Sequence, residues 1–367
     1  MKTARNFNFF IVLSIFILMT LQHCSPKEDS SATYYSMDDY QNIAKYDVHV
    51  HVMTFDSSFV NSSAEDNFKL LTINVDVPSY PSLEDQQHYA LHQAKAFPDH
   101  LHYATAFTVN NWEDENWQKI ALDYLKQSFS NGAIAVKVWK NIGMELKDQH
   151  GEFVMINNSR FDAIFNFLEE NNITVIGHLG EPKNCWLPVE EMTVAGDKNY
   201  FATHPEYHMY LHPEYPSYED QLNFRDKLLE KHPDLKFVGA HLGSLEWSVD
   251  ALAERLDEYP NMAVDMAARI SHLQYQAVTD WQKVHDFFIK YQDRILYGTD
   301  IQTDGEMSPE DLKKEAHEIR LRHWKFFTSD ETMNVPKVEN EFKGLKLPKQ
   351  VIDKIYRENA KKWFPGM

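Results

Sequence analysis

Cysteine is nearly missing from this 367-residue sequence, which holds two, Cys24 and Cys185. That argues against a disulfide framework and against a cysteine-built zinc site, since both need paired or clustered thiols. Positive charge is also short: 36 Lys and Arg stand against 55 Asp and Glu, a formal charge of −19. Such a chain is repelled by nucleic acid and by anionic lipid, so neither is expected as a partner. No Gly-x-Gly-x-x-Gly follows an early strand-like run, which argues against a dinucleotide-binding fold. The one long apolar run, Phe9 to Met19, is too short to span a bilayer comfortably.

That run has another use. Lys2 and Arg5 precede it, no acidic residue interrupts residues 1–23, and polar residues follow at once, as in a secretory signal peptide. Cys24, after Leu21-Gln22-His23, resembles the lipidated cysteine of a bacterial lipoprotein; the alternative is an ordinary signal with an incidental Cys24. Residues 24–43 open on a polar, aperiodic stretch and read as a lipid-anchored flexible tether. The expectation is an exported outer-membrane lipoprotein facing the periplasm or the cell surface. Its only membrane contact would be the N-terminal anchor.

From residue 44 onward, short β-branched runs alternate with amphipathic stretches, the pattern of βα units around a parallel sheet. Strands are predicted at Tyr46–His51, Leu70–Val75, Tyr103–Val109, Ala133–Trp139, Thr174–His178, Lys236–His241, Met262–Asp265 and Ile295–Thr299. Helices are predicted between them, among them Leu83–Ala96, Tyr218–Lys231 and Pro309–Phe327. Eight repeats in a chain of this length favour a (β/α)8 TIM barrel with long active-site loops, occupying residues 44–367. The longest interruptions, residues 180–216 and 328–347, are expected to shape the mouth. The first is rich in polar aromatics such as Tyr200, His204 and Tyr207, and suggests a wall over a polar ligand.

Chemistry in such a barrel collects at the C-terminal ends of strands. Asp47-Val48-His49-Val50-His51 ends the first strand, and alternation puts His49 and His51 on one face, with Val48 and Val50 packed outward. Two adjacent imidazoles repel when protonated, whereas a metal ion binds both in the neutral form. His178 ends the fifth strand, His241 the sixth and Asp300 the eighth. Four strand ends agreeing on metal-ligand chemistry outweigh any one of them. Lys137 interrupts the apolar fourth strand, and Trp139 shares its face, either to stack on a substrate or to pack the barrel. Lys140 falls on the opposite face. Arg269 follows the seventh strand, poised either for a substrate carboxylate or for Asp265, and Glu181 lies just beyond His178 as a possible pocket residue.

This pattern resembles the amidohydrolase superfamily, and more closely its amidohydrolase-related branch, which includes aminocarboxymuconate semialdehyde decarboxylase, resorcylate-type decarboxylases and lactone hydrolases. The likeness runs from about residue 44 to the C-terminus, where Ile355 to Phe364 is similar to the closing helix of that branch. The resemblance implies that His49, His51, His178 and Asp300 hold one Zn²⁺ or similar divalent ion. It implies that His241 is an acid/base and that Asp300 also shuttles a proton. In binuclear members a carboxylated lysine bridges two ions, a part Lys137 could take; the reading preferred here is an uncarboxylated Lys137 that binds an anionic substrate group. The expected activity is hydrolysis of a small lactone, amide or ester, with non-oxidative decarboxylation of a small carboxylic acid as the alternative. A homodimer is compatible with this reading.

Overall fold

The computed structural model describes residues 33–367. Nine parallel strands, β1 (Lys45–Val52), β2 (Phe68–Ile73), β3 (Leu101–Ala106), β4 (Ala135–Val138), β5 (Thr174–Gly177), β6 (Phe237–Gly239), β7 (Met262–Asp265), β8 (Ile295–Leu296) and β9 (Ile301–Thr303), follow one another around a single sheet. β8 and β9 are two pieces of one path. Leu296 accepts from Met266 beside β7, while the Val48 N–H donates to Tyr297 O (3.0 Å) and β9 pairs with β1. The segment is therefore bonded on both sides, and the ring closes as a TIM barrel.

The interior is narrow and is filled accordingly. Ala104, Ala135, Ala240 and Ala263 are fully buried there, with Leu71, Ile73, Ile176, Val238 and Leu296 as the larger members of the same cluster. Ala360, Trp363 and Phe364 close one end. Trp363 O accepts from Thr174 at the start of β5, and Asn359 donates to Ile295 O (2.8 Å) at the start of β8. The C-terminal segment thus plugs the end where strands begin, and the opposite end is left for chemistry. Gly177, the last residue of β5, is required there: a Cβ would stand 2.2 Å from the Phe237 ring on β6. Gly177→Ala should cost about 1–3 kcal/mol by overpacking, read as a lower urea midpoint at unchanged slope.

The helices Leu83–Ala96 and Tyr218–Lys231 and strand β7 fall where the sequence puts them, and other boundaries move by a few residues. Three differences matter. Val48 packs inside the barrel, whereas Val50 packs outward as expected. A register shift between Asp47 and Val50 inserts a bulge, so both Val48 and His49 turn inward and simple alternation fails. The described residues pack on the barrel from their start: Tyr35 and Tyr40 are buried, and Ser36 O accepts from Trp324 Nε1 (3.0 Å). Residues 33–43 therefore belong to the barrel's packing and not to a tether. Finally, the interruption 328–347 contains an antiparallel hairpin, Thr332–Val335 with Val338–Lys343.

The expected signal peptide and Cys24 lie outside the described residues. None of the described helices is long and apolar enough to cross a membrane.

Candidate metal centre and cavity

At the C-terminal end of the strands, the residues singled out in the sequence line one cavity of about 470 Å³. His49 and His51 reach it from β1, Lys137 from β4, His178 from just past β5, and His241 and Asp300 from the ends of β6 and β8.

The backbone leaves several of these strands under strain. His241, Leu242, Gly243 and Ser244 have φ of 58°, 60°, 61° and 57°, a left-handed turn. Ala268 (56°) and Asp300 (69°) share that conformation. Each non-glycine residue there costs on the order of 1–3 kcal/mol and persists only where neighbours hold it. The holders are visible: Asp265 Oδ1 accepts from the His241 N–H (2.9 Å), Tyr218 donates to Ser244 O, and His49 O accepts from the Asp300 N–H (2.8 Å). The turn aims His241 into the mouth.

Imidazole tautomers follow from the partners of Nδ1. His51 Nδ1 lies 2.8 Å from Ile73 O and His241 Nδ1 lies 2.9 Å from Ala267 O. A carbonyl only accepts, so both nitrogens carry the proton. His49 Nδ1 donates likewise to Asp265 Oδ2 (2.8 Å). The Nε2 atoms of His51 and His241 are left with bare lone pairs, while that of His49 faces the Lys137 Nζ at 3.3 Å. Those of His49 and His51 each stand 3.4 Å from Asp300 Oδ1. Ring nitrogens and a carboxylate converging at that distance form a donor set that a divalent metal fits.

Charge states agree. Burial pushes His241 down to about 3 against the pull of Asp300, lowers His51, and holds His178 well below its ordinary value, aided by His241. Burial would raise Asp300, but His241, His51 and His49 together hold it far below the usual carboxylate range. Neutral imidazoles beside an ionised carboxylate are ligands in their binding form.

Among the described residues, ligand atoms converge in two overlapping groups, His49–His51–Asp300 and His49–His241–Asp265. His178 stands beside them, its ring centroid 4.3 Å from that of His241, and belongs to neither group. Asp265 was not recognised as a site residue in the sequence. The signal was available, since it is a buried carboxylate ending an apolar strand. It orients His49 and the His241 turn, and so it does not pair with Arg269. Lys140 also lines the cavity, bonded to Glu181. The opposite-face argument fails because β4 ends at Val138, two residues earlier.

Lys137 Nζ lies 3.3 Å from His49 Nε2. Burial pushes Lys137 and Lys140 each down to about 8, so both remain cations at neutral pH. With Arg269 they give the cavity a cationic wall in an acidic protein. Trp139 lies on that wall, 5.5 Å below Lys140 Nζ. Of the aromatic insertion, Tyr200 and Phe201 reach the cavity, while Tyr207 and Tyr210 are exposed. Cys185 is a buried thiol pushed up to about 12 by burial, as an inert role requires.

A family profile described as amidohydrolase matches residues 46–366. The chain belongs to this amidohydrolase family. No curated protein matches the sequence. Among solved structures, 2,6-dihydroxybenzoate decarboxylase from Rhizobium superposes with a TM-score of 0.51 at 13% identity, covering 88% of this chain and 98% of that one. A 2,6-dihydroxybenzoate decarboxylase complexed with 2,6-dihydroxybenzoate gives 0.50 at 14%, covering 88% and 99%. At these identities the likeness is one of fold.

Proposed function

We propose that this amidohydrolase-family enzyme hydrolyses a small anionic lactone, ester or amide with the help of one divalent ion, most simply Zn²⁺. His49, His51, His178 and Asp300 would hold the ion, and His241 would act as acid/base. The observation that carries the reading is the convergence of the His49 and His51 Nε2 atoms on Asp300 Oδ1, beneath a cavity of substrate size. A divalent ion in that place supplies Lewis-acid polarisation of a carbonyl and acidifies water.

The chain's own groups complete the reaction. His241 Nε2, bare and neutral, accepts a proton from water as the water oxygen bonds to the carbonyl carbon. The Asp300 charge stabilises the imidazolium that results. The same proton passes to the leaving oxygen or nitrogen as its bond to that carbon breaks. Arg269 and the Lys137 and Lys140 ammonium groups hold the substrate's anionic end, and Trp139 offers a flat surface to a ring.

The cationic wall also suits decarboxylation, in which a carboxylate bound there departs as CO2, its bonding pair stays on the carbon, and that carbon takes a proton relayed from water through His241 Nε2 beside Asp300. Incubating metal-loaded protein with lactone and hydroxybenzoate panels separates the two readings. Release of acid without CO2 supports hydrolysis, whereas CO2 release alone overturns it. Under either chemistry Arg269→Met should raise KM for a carboxylate substrate by about 10–100-fold, the worth of a charged hydrogen bond, with kcat changed less.

Metal analysis is expected to give one ion per chain. Two, with the second lost on Lys137→Ala, would instead support a carboxylated Lys137. Export with lipidation at Cys24 is part of the same proposal. Metabolic labelling with palmitate should mark the wild-type chain and not Cys24→Ala.

A further inference from the structure

A second cavity of about 480 Å³ lies on the other side of Asp300, which together with Gln302 forms a wall common to both. It is enclosed by the helices Ile270–Thr279 and Pro309–Thr328 and by the turn of the 332–343 hairpin. Apart from Asp300, no residue of the proposed metal chemistry lines it.

Its lining divides into two chemistries. Ile270, Leu312, Ile319 and Val335 give it an apolar side. Arg322 and His323 are half-buried on the long helix, and Lys337 stands at the hairpin turn. Neither Arg322 nor Lys337 makes an ion pair or side-chain hydrogen bond among the described residues. Two cations left unpaired at one cavity, in a chain with an acidic excess, are unexpected. Glu315 and Glu318 also border the cavity but at exposed helix positions, and Glu318 stands one turn from Arg322 without pairing with it.

His323 adds a directed donor. Its Nδ1 lies 3.1 Å from the hydroxyl of the fully buried Tyr297, which has no other hydrogen-bond partner among the described residues. The hydroxyl keeps its proton, because burial raises Tyr297 well above its ordinary range, and the ring is neutral, pushed down to about 3 by burial, then Arg322 and Lys337. The hydroxyl therefore donates to Nδ1, and the ring proton sits on Nε2. That N–H has no partner among the described residues.

We propose that this cavity is a binding site for an amphipathic carboxylate, its anionic end held by Arg322, Lys337 and His323 Nε2–H and its tail lying against Ile270, Ile319 and Val335. The site borders the metal cavity through Asp300 but takes its proposed contacts from other residues, and so it does not depend on the proposed reaction.

Calorimetric titration of the metal-loaded protein with octanoate, octanol and octylammonium tests this. Octanoate should bind, and the other two should bind at least about tenfold more weakly, since neither accepts charged hydrogen bonds from cations. Arg322→Met with Lys337→Met should weaken octanoate by at least about tenfold while leaving metal content unchanged. Lys337→Met alone, at an exposed position, should weaken it by up to about fivefold and keeps the test readable if the helix substitution disturbs folding. Arg269→Met, in the metal cavity, should leave octanoate binding as it was. The inference is overturned if octanoate does not bind, if octylammonium binds as well, or if Arg269→Met abolishes binding while the double variant retains it.

Discussion

His51→Ala is expected to strip the protein of its metal and abolish turnover while the barrel stays folded. The His51 ring is buried, its Nδ1 proton is committed to Ile73 O, and its Nε2 lone pair faces Asp300 Oδ1 at 3.4 Å. Alanine deletes a ligand that no neighbour replaces. Tyr80 lies edge-on to the ring at 5.9 Å, and burial together with Asp300 keeps its phenol protonated, raised to about 12. The fall in metal affinity should exceed the roughly 10–100-fold that loss of an outer hydrogen-bond partner costs. That smaller loss is what Asp265→Asn should show, because it removes a charge behind His49 without touching a ligand atom. Elemental analysis after dialysis, with far-ultraviolet circular dichroism as the folding control, reads both. A His51→Ala protein that keeps one ion per chain would sink the proposed centre.

The ring of strands was legible because burial on both faces makes each strand an apolar run, and the end of each run shows where a polar side chain emerges. His49, His51, His178, His241 and Asp300 were found that way, and all line one cavity. What escaped has definite causes. The bulge between Asp47 and Val50 has no composition of its own, so a strict two-residue period misplaced Val48. Lys140 was assigned a face by extending that period past the last residue of β4. Asp265 was read against its sequence neighbour Arg269, whereas its partners, His49 and the His241 N–H, are more than twenty residues away. The left-handed turn at His241–Ser244 follows from tertiary hydrogen bonds and not from residue preference, since only Gly243 favours it. Long-range contacts decide such features, and one sequence does not display them.

The largest loss of stability is expected from Arg320→Met. Asp47 and Arg320 are both buried, and the Arg320 Nη2 donates to Asp47 Oδ2 at 3.0 Å. Arg320 Nη1 also donates to Ser63 Oγ (2.8 Å), and its guanidinium lies over the Phe68 ring at 4.4 Å. Methionine replaces the stem, so the packing volume largely remains while the charge goes. What stays behind is a carboxylate out of water, with Thr299 N–H (2.9 Å) and Thr299 Oγ1 (2.7 Å) as its remaining donors. Breaking a buried pair from one side costs about 3–5 kcal/mol. Burial already raises Asp47 despite Arg320, and removal of that opposing charge raises it further. A folded-state pKa above the unfolded value means that the native state binds the extra proton. Stability therefore falls as pH rises through the folded pKa and recovers as pH falls toward about 4, the unfolded carboxyl value. Urea unfolding of Arg320→Met should accordingly show a deficit at pH 7 that narrows at pH 5. Because Asp47 also fixes Thr299, the residue before Asp300, the same variant should bind metal more weakly at pH 7. Unchanged metal affinity together with a pH-independent deficit would show that Arg320 contributes packing alone.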